Sequence, residues 1–293
     1  MATNTIAGVN LTAIAEESLP ALQSAFAPLA GIIGDFSSDV SQRGAAVTTR
    51  YPTKPSAVDL SSGYTSQNTA LTAVTITLDT FYGFVYGFKD TERSKSSISL
   101  NDIFLAPAIQ CVGDKLFGDI WNLVVNANFS TSTTIAAANF DRSDLADIGA
   151  TLTNTLKAPK EGRTLWSSPA YHAGLVKSLN SAEFPGQSQD KAEAMAPRTA
   201  KFDCYETDLA DDNSENLGAF AFHRTALLMA ARQVDSEGFE KVGEVSNVEI
   251  PGLGIPIQFR RWYDANAGEL KYSLGLLYGV AAGRNFGVRI KSA

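Results

Sequence analysis

Two histidines, His172 and His223, and two cysteines, Cys111 and Cys204, are all the imidazole and thiol that this 293-residue chain carries. A zinc site draws three or four such ligands from short spacings. Here neither histidine belongs to an HExxH pattern and neither cysteine to a CxxC pair. Both histidines read as lying at strand–helix junctions in apolar company, where an imidazole satisfied by its neighbours is the expected role. Ser167, Ser168 and His172 place a hydroxyl and a base close together in sequence, the raw material of nucleophilic catalysis. The chain holds no GxSxG elbow, no phosphate-binding P-loop and no GxGxxG. Gly252-Leu253-Gly254, flanked by Pro251 and Pro256, reads as a turn. Asp208, Asp211 and Asp212 could gather around a hard cation. Their run lacks the glycine and distal glutamate of a calcium loop, so a solvated turn is expected. Paired carboxylates for glycoside hydrolysis are defined by a distance in space, and no pair stands out in the sequence. The expectation is a protein with no catalytic site, no cofactor and no metal.

Bulk properties agree with that direction. The formal charge is −7, from 24 Lys+Arg against 31 Asp+Glu, and the longest basic cluster is Arg260-Arg261. Such a chain grips phosphate poorly, since nucleic-acid affinity rests on basic patches. Hydrophobic residues make up 44%, ample for a large core. The N-terminus has no basic region followed by an apolar one, so no signal peptide is expected. No run reaches the roughly 18–20 apolar residues that span a bilayer. Reduced, buried thiols are expected, as in a cytosolic product.

The elements that must position these residues are most distinctive between Ala45 and Asn128. Ala45 to Tyr51 reads as a strand, interrupted at Thr53-Lys54-Pro55-Ser56. Ser61 to Thr69 reads as a loop tip with Tyr64 its only sizeable apolar side chain. Val74, Ile76 and Leu78 alternate with polar residues in a return strand that runs on through the aromatic stretch Phe81 to Phe88. A lone two-stranded ribbon is marginal in water, and a structureless loop of this length is improbable within a domain. Something outside the subunit is therefore expected to supply the missing surface. Asn101 to Asn126 reads as one amphipathic helix roughly 39 Å long, with Leu105, Ile109, Val112, Leu116, Ile120 and Val124 down one face and Phe117 and Trp121 widening it. Pro107 should mark its start or a bend.

On either side the pattern is less distinctive. Thr12 to Ile33 has a helical stripe, Leu19, Leu22, Phe26 and Leu29, broken by Pro20 and Pro28. Ser143 is expected to cap a helix carrying Leu145, Ile148, Leu152 and Leu156. Arg163 to Ser168 reads as a buried strand, followed by a helix from Pro169 to Leu179. Ser188 to Pro197 reads as an exposed loop, Lys201 to Thr207 as a strand, and Phe220 to Ala231 as a strand leading into a helix. Ile255 to Tyr263 and Tyr272 to Arg289 complete an α+β pattern.

Four segments carry a family resemblance: Leu19 to Pro52, Val74 to Glu92, Arg163 to Leu179 and Gly218 to Gln233. With the order of elements, they resemble the major capsid proteins of tailed bacteriophages, which have the Hong Kong 97-type (Johnson) fold. The resemblance implies an N-terminal arm over residues 1–44 and an extended E-loop over 45–77. It also implies a peripheral domain with a spine helix over 78–130 and 265–293, and an axial domain over 131–264. The function implied is self-assembly through pentamers and hexamers into an icosahedral shell around double-stranded DNA, without sequence-specific binding. The chain would then be found in the virion, and in the bacterial cytoplasm during assembly. Scaffolding, portal and decoration proteins are the further partners such a family offers. Arg50, Lys54 and Tyr64 would lie at subunit contacts, and Lys54 is the sole loop lysine for a cross-link of the kind some members form. An ion pair is the expected role for Arg50 and Lys54. An encapsulin-like cage shares the fold implied. The reading from a different class is a soluble α/β hydrolase or binding protein centred on Ser167, Ser168 and His172.

Overall fold

A computed structural model describes residues 26–32, 46–52, 55–64, 66, 70–95, 100–179, 198–235, 238, 242–250 and 253–292. Its strands are β1 (Ala46–Pro52), β2 (Leu71–Thr77), β3 (Thr80–Lys89), β4 (Ser132–Thr134), β5 (Arg163–Ser167), β6 (Arg198–Thr199) and β7 (Phe202–Glu206). They continue with β8 (Leu217–His223), β9 (Leu227–Arg232), β10 (Gly243–Ile250), β11 (Ile255–Asp264), β12 (Glu269–Ala282) and β13 (Gly287–Lys291). The α-helices are α1 (Asp90–Lys95), α2 (Leu100–Trp121), α3 (Arg142–Asn154) and α4 (Pro169–Leu179).

The long helix α2 is the shared axis of two sheets. One sheet runs β10-β11-β12-β3, all antiparallel, with β9 pairing β12 from Leu277 to Ala282. The other is mixed, in the order β4-β13-β8-β5-β7-β6. Ile109, Val112, Leu116, Phe117, Ile120 and Trp121 of α2 enter one core with Phe259, Leu274, Leu276 and Tyr278 of the first sheet and Trp166, Phe220 and Phe222 of the second. Strand alternation explains how the second sheet is filled on both faces. Trp166, Phe220 and Phe222 point towards α2, while Leu165, Ala219 and Ala221 point into a second core closed by α3 and α4. That double burial is why β8 reads as a nearly unbroken apolar run and why every residue of β5, Arg163, Thr164 and Ser167 included, is buried.

Helix α2 ends at Trp121, earlier than Asn126, and spans roughly 33 Å at 1.5 Å per residue. Its end is tightened by Leu123 N–H bonding Ile120 and Val124 N–H bonding Trp121, both i→i+3 contacts. Pro107 lies inside the helix rather than at its start. The capping residue of α3 is Asp141, not Ser143: Asp141 and Asp144 form a reciprocal box, each carboxylate accepting the other's backbone N–H. Ser143 stands nearer the apolar stripe, but Asp141 and Asp144 together satisfy two backbone donors at once.

Three further expectations are corrected. The return strand does not run unbroken into the aromatics; it stops at Thr77, and β3 restarts at Thr80 in a different sheet. Phe220 to Ala231 contains no helix: β8 turns at Arg224 to Ala226 and continues as β9. The small apolar run LLMAA suits either state, and pairing with β12 decides it. Tyr272 to Arg289 is two strands, broken before Gly287. Strand β10 was not foreseen. Of the N-terminal stripe, the described part is a 3₁₀ turn from Ala27 to Gly31 with Pro28 at its start; Phe26 and Leu29 are buried in the α2 core. Leu19, Leu22 and Pro20 lie outside the described residues, as do Ser188 to Pro197.

Candidate subunit interface

The β1–β2 hairpin is a ladder of seven pairs, from Ala46 opposite Thr77 to Pro52 opposite Leu71. Its inner face is not bare. Val47 and Ile76 plug into Leu228 and Ala230, with Tyr51, Val74, Leu78 and Ala281 packed around them. The ladder lies so close to β12 that a Cβ on Gly279 would fall 2.0 Å from the Thr77 carbonyl oxygen. Only glycine fits there. On the outer face, the Thr48 and Thr75 hydroxyls share a hydrogen bond of 3.2 Å. The expectation of an unsupported ribbon is therefore corrected: the inner face of the ladder rests on its own subunit.

The described residues beyond the ladder carry exposed apolar side chains. Asp59 caps a 3₁₀ turn at Leu60–Ser62 by accepting the Ser61 N–H at 2.9 Å. Around it Val58, Leu60 and Leu71 stand exposed, and Tyr64 is 92% exposed. Apolar side chains grouped on one segment mark an interaction surface more clearly than scattered ones. In the sequence Val58, Leu60 and Leu71 belong to no apolar run or periodic stripe, so nothing there marks them. Arg50 is exposed on β1 opposite Ala73. Lys54 lies outside the described residues. Nothing brings Arg50 and Tyr64 together.

A second uncovered surface lies on β3, an edge strand of the first sheet. Phe81 and Val85 are 56% and 58% exposed on the face away from α2, beside a groove of about 360 Å³ shared with Arg260, Trp262 and Gly275. Tyr82 and Phe84 are exposed on the opposite face, where Lys115 of α2 sits 4.7 Å over the Tyr82 ring. A long, flat, apolar edge is a liability in a free monomer, and soluble proteins usually blunt it.

The residues first singled out for chemistry have structural work. His223 ends β8, buried, with Nδ1 2.8 Å from the Thr225 hydroxyl. Burial first, then the charges of Arg224, Arg163 and Arg284, push its pKa down to about 4, so the ring is neutral. His172 lies within α4, 3.9 Å from Glu206, and the nearby Ser167 hydroxyl contacts the Tyr205 carbonyl at 3.5 Å. Among the described residues, no hydrogen bond joins a serine hydroxyl to His172. In the acidic run, Asp211 and Asp212 close turns by accepting the N–H groups of Asn213 and Ser214. Those turns aim the Asn213 amide at the Trp121 and Val124 carbonyls, where it caps the end of α2. Cys204 is buried, its thiol pushed up to about 11 by that burial, whereas Cys111 is exposed on α2, contrary to expectation. Among the described residues no three His, Cys, Asp or Glu side chains group as a metal site, and no helix is long and apolar enough to cross a membrane.

Buried arginines complete the scaffold. Arg163 donates to the carbonyls of Gly149, Ala158 and Pro159 and to the Thr153 hydroxyl, closing the C-terminal end of α3 with positive charge. Arg289 pairs with Glu215 and donates to Phe129 and Asn126, binding β13 to the turn after α2.

No protein-family model matches the chain, and no curated protein matches it. Solved structures do. A chain from Mycobacterium phage Che8 superposes with a TM-score of 0.62 at 14% identity, covering 89% of each chain. The capsid structure of cyanophage P-SCSP1u gives 0.60 at 11% identity, over 85% of this chain and 84% of that one. The capsid of cyanophage Pam1 gives 0.58 at 10% identity, covering 87% of each. The α+β architecture of this chain is thus the fold of phage capsid subunits, held over most of its length.

Proposed function

We propose that the chain is the major capsid protein of a tailed phage, a structural subunit whose copies assemble through pentamers and hexamers into the icosahedral head that encloses the genome. The single observation that carries this reading is the shared fold with phage capsid structures over 85–87% of the chain. The exposed apolar tip at Leu60 and Tyr64 and the uncovered β3 edge support it, because both are surfaces that a neighbouring copy would close. In this reading residues 1–44 form an arm and 45–77 an E-loop whose tip, beyond the β1–β2 ladder, lies over the next subunit. Residues 78–130 and 265–293 form a peripheral domain around the α2 spine, and 131–264 an axial domain facing the symmetry axes. Arg50, Lys54 and Tyr64 serve the contact between subunits. The shell encloses double-stranded DNA without reading its sequence, in keeping with a formal charge of −7. Scaffolding, portal and decoration proteins are its candidate partners, and the virion its destination.

Sedimentation velocity of the purified protein tests the reading. Species of five or six copies, or whole shells, are expected. A monomer that persists at every concentration would contradict it.

A further inference from the structure

We infer that Arg284 is the positioning residue of the hairpin: it pins the β1–β2 ladder to the subunit body, so that the adjustable part of the loop begins beyond Pro52 and Leu71. The inference rests on the capsid reading only for its consequence in assembly.

Arg284 follows the end of β12. Its backbone is fixed by Arg284 N–H bonding the Thr225 carbonyl at 3.0 Å and by Gly283 N–H bonding Ala226 at 2.8 Å. A Cβ on Gly283 would sit 2.4 Å from the Thr225 carbonyl oxygen, so the chain passes there as glycine alone can. From this anchored base the guanidinium lies 4.7 Å from the Tyr51 ring centre and 5.5 Å from that of Phe286. One of its amino groups donates to the Pro52 carbonyl at 3.1 Å. A planar, permanently charged fork that stacks and donates at once is a role lysine fills only in part.

Position in the ladder gives the contact its meaning. The root is held by Val47 and Ile76 in their apolar socket, near the start of β1 and the end of β2. Arg284 holds the opposite end, where Pro52 faces Leu71 in the last pair. A hairpin fixed at both ends of its ladder cannot swing as a whole about the break at Leu78 and Asp79. Bending is left to the tip segment that carries Val58, Leu60 and Tyr64.

Hydrogen exchange of the dissociated full-length subunit tests this. In Arg284→Gln, amides of Thr49 to Tyr51 and Thr72 to Val74 should exchange at least ten-fold faster, while those of Gln258 to Asp264 in β11 stay as in the wild type. Arg284→Lys should be intermediate, and Tyr51→Phe, which keeps the ring, should match the wild type. Unchanged ladder exchange in Arg284→Gln would overturn the inference. Acceleration spread evenly over the whole chain would overturn it too, since that marks general destabilisation. Assembly of the wild-type protein is read separately. Local acceleration in a protein that forms no shells would retain the clamp and discard the capsid reading; shells with unaltered exchange would do the reverse.

Discussion

The Tyr278 hydroxyl of β12 donates to the Asp119 carboxylate of α2 across 2.5 Å and so fastens the first sheet to the helical spine. Lys115, one turn earlier, donates to the other oxygen of the same carboxylate at 2.6 Å. Burial, and the Asp119 carboxylate that accepts the proton, hold the Tyr278 phenol far above its ordinary range, so it is a donor at any working pH. Tyr278→Phe should destabilise the subunit by about 2 kcal/mol, the usual worth of a hydrogen bond to a charged partner. Denaturant unfolding of the dissociated subunit reads it, and a change under about 0.5 kcal/mol would reduce the contact to a surface nicety.

Glu215 and Arg289 form the most enclosed ion pair among the described residues, and Lys291 stands 3.7 Å from the same carboxylate. Glu215→Gln alone should cost about 3 kcal/mol, because Arg289 is 1% exposed and its charge would lose its counterion. Replacing both, as Glu215→Leu with Arg289→Met, should cost at least about 1 kcal/mol less than the two single changes added together. Strict additivity in a double-mutant cycle would show that the pair is not coupled.

Stability should fall on mild acidification through His223. Its folded pKa is about 4, below the ordinary value of 6.5, so between those values the unfolded chain binds the proton and the folded chain does not. Above pH 6.5 neither form is charged and the residue contributes no pH dependence. Below it, each unit of pH down to about 4 should cost about 1 kcal/mol. Thermal unfolding of His223→Gln against the wild type isolates this slope, which the variant should lack. Equal slopes in the two proteins would assign the acid sensitivity to other groups.

The tip of the loop should matter to copies together and not to one alone. Leu60→Ser with Tyr64→Ser removes two exposed apolar side chains, and the dissociated subunit should keep its stability within about 0.5 kcal/mol. Assembly, followed by light scattering, should fall at least ten-fold. Full assembly in the double variant would remove the tip from the interface.

Much of the fold was legible because the strongest signals were periodic. Ile109, Val112, Leu116 and Ile120 recur on one helical face, and all enter the core between the sheets. Val74 and Ile76 alternate into the hairpin's socket, and Arg163 to Ser167 is buried throughout because both faces of β5 are covered. What could not be read depended on partners distant in sequence. Leu227 to Ala231 is a strand only because β12 lies beside it, and Asn213 caps α2 from 89 residues away. The candidate interface was legible in part. Tyr64 stood out in a polar run, while Val58 and Leu60 acquire meaning only when the ladder is seen to rest on β12 and leave them exposed. Arg284 gave no signal at all, since an isolated arginine after a strand has no pattern to betray a contact with Tyr51 and Pro52.

The most direct test of the account is negative-stain electron microscopy of the expressed protein, taken from lysate and again after co-expression with the neighbouring genes. Closed shells, or rings of five or six subunits, are the predicted result. A uniform monomer or small dimer under every condition would contradict the account and leave the fold without the assembly proposed for it.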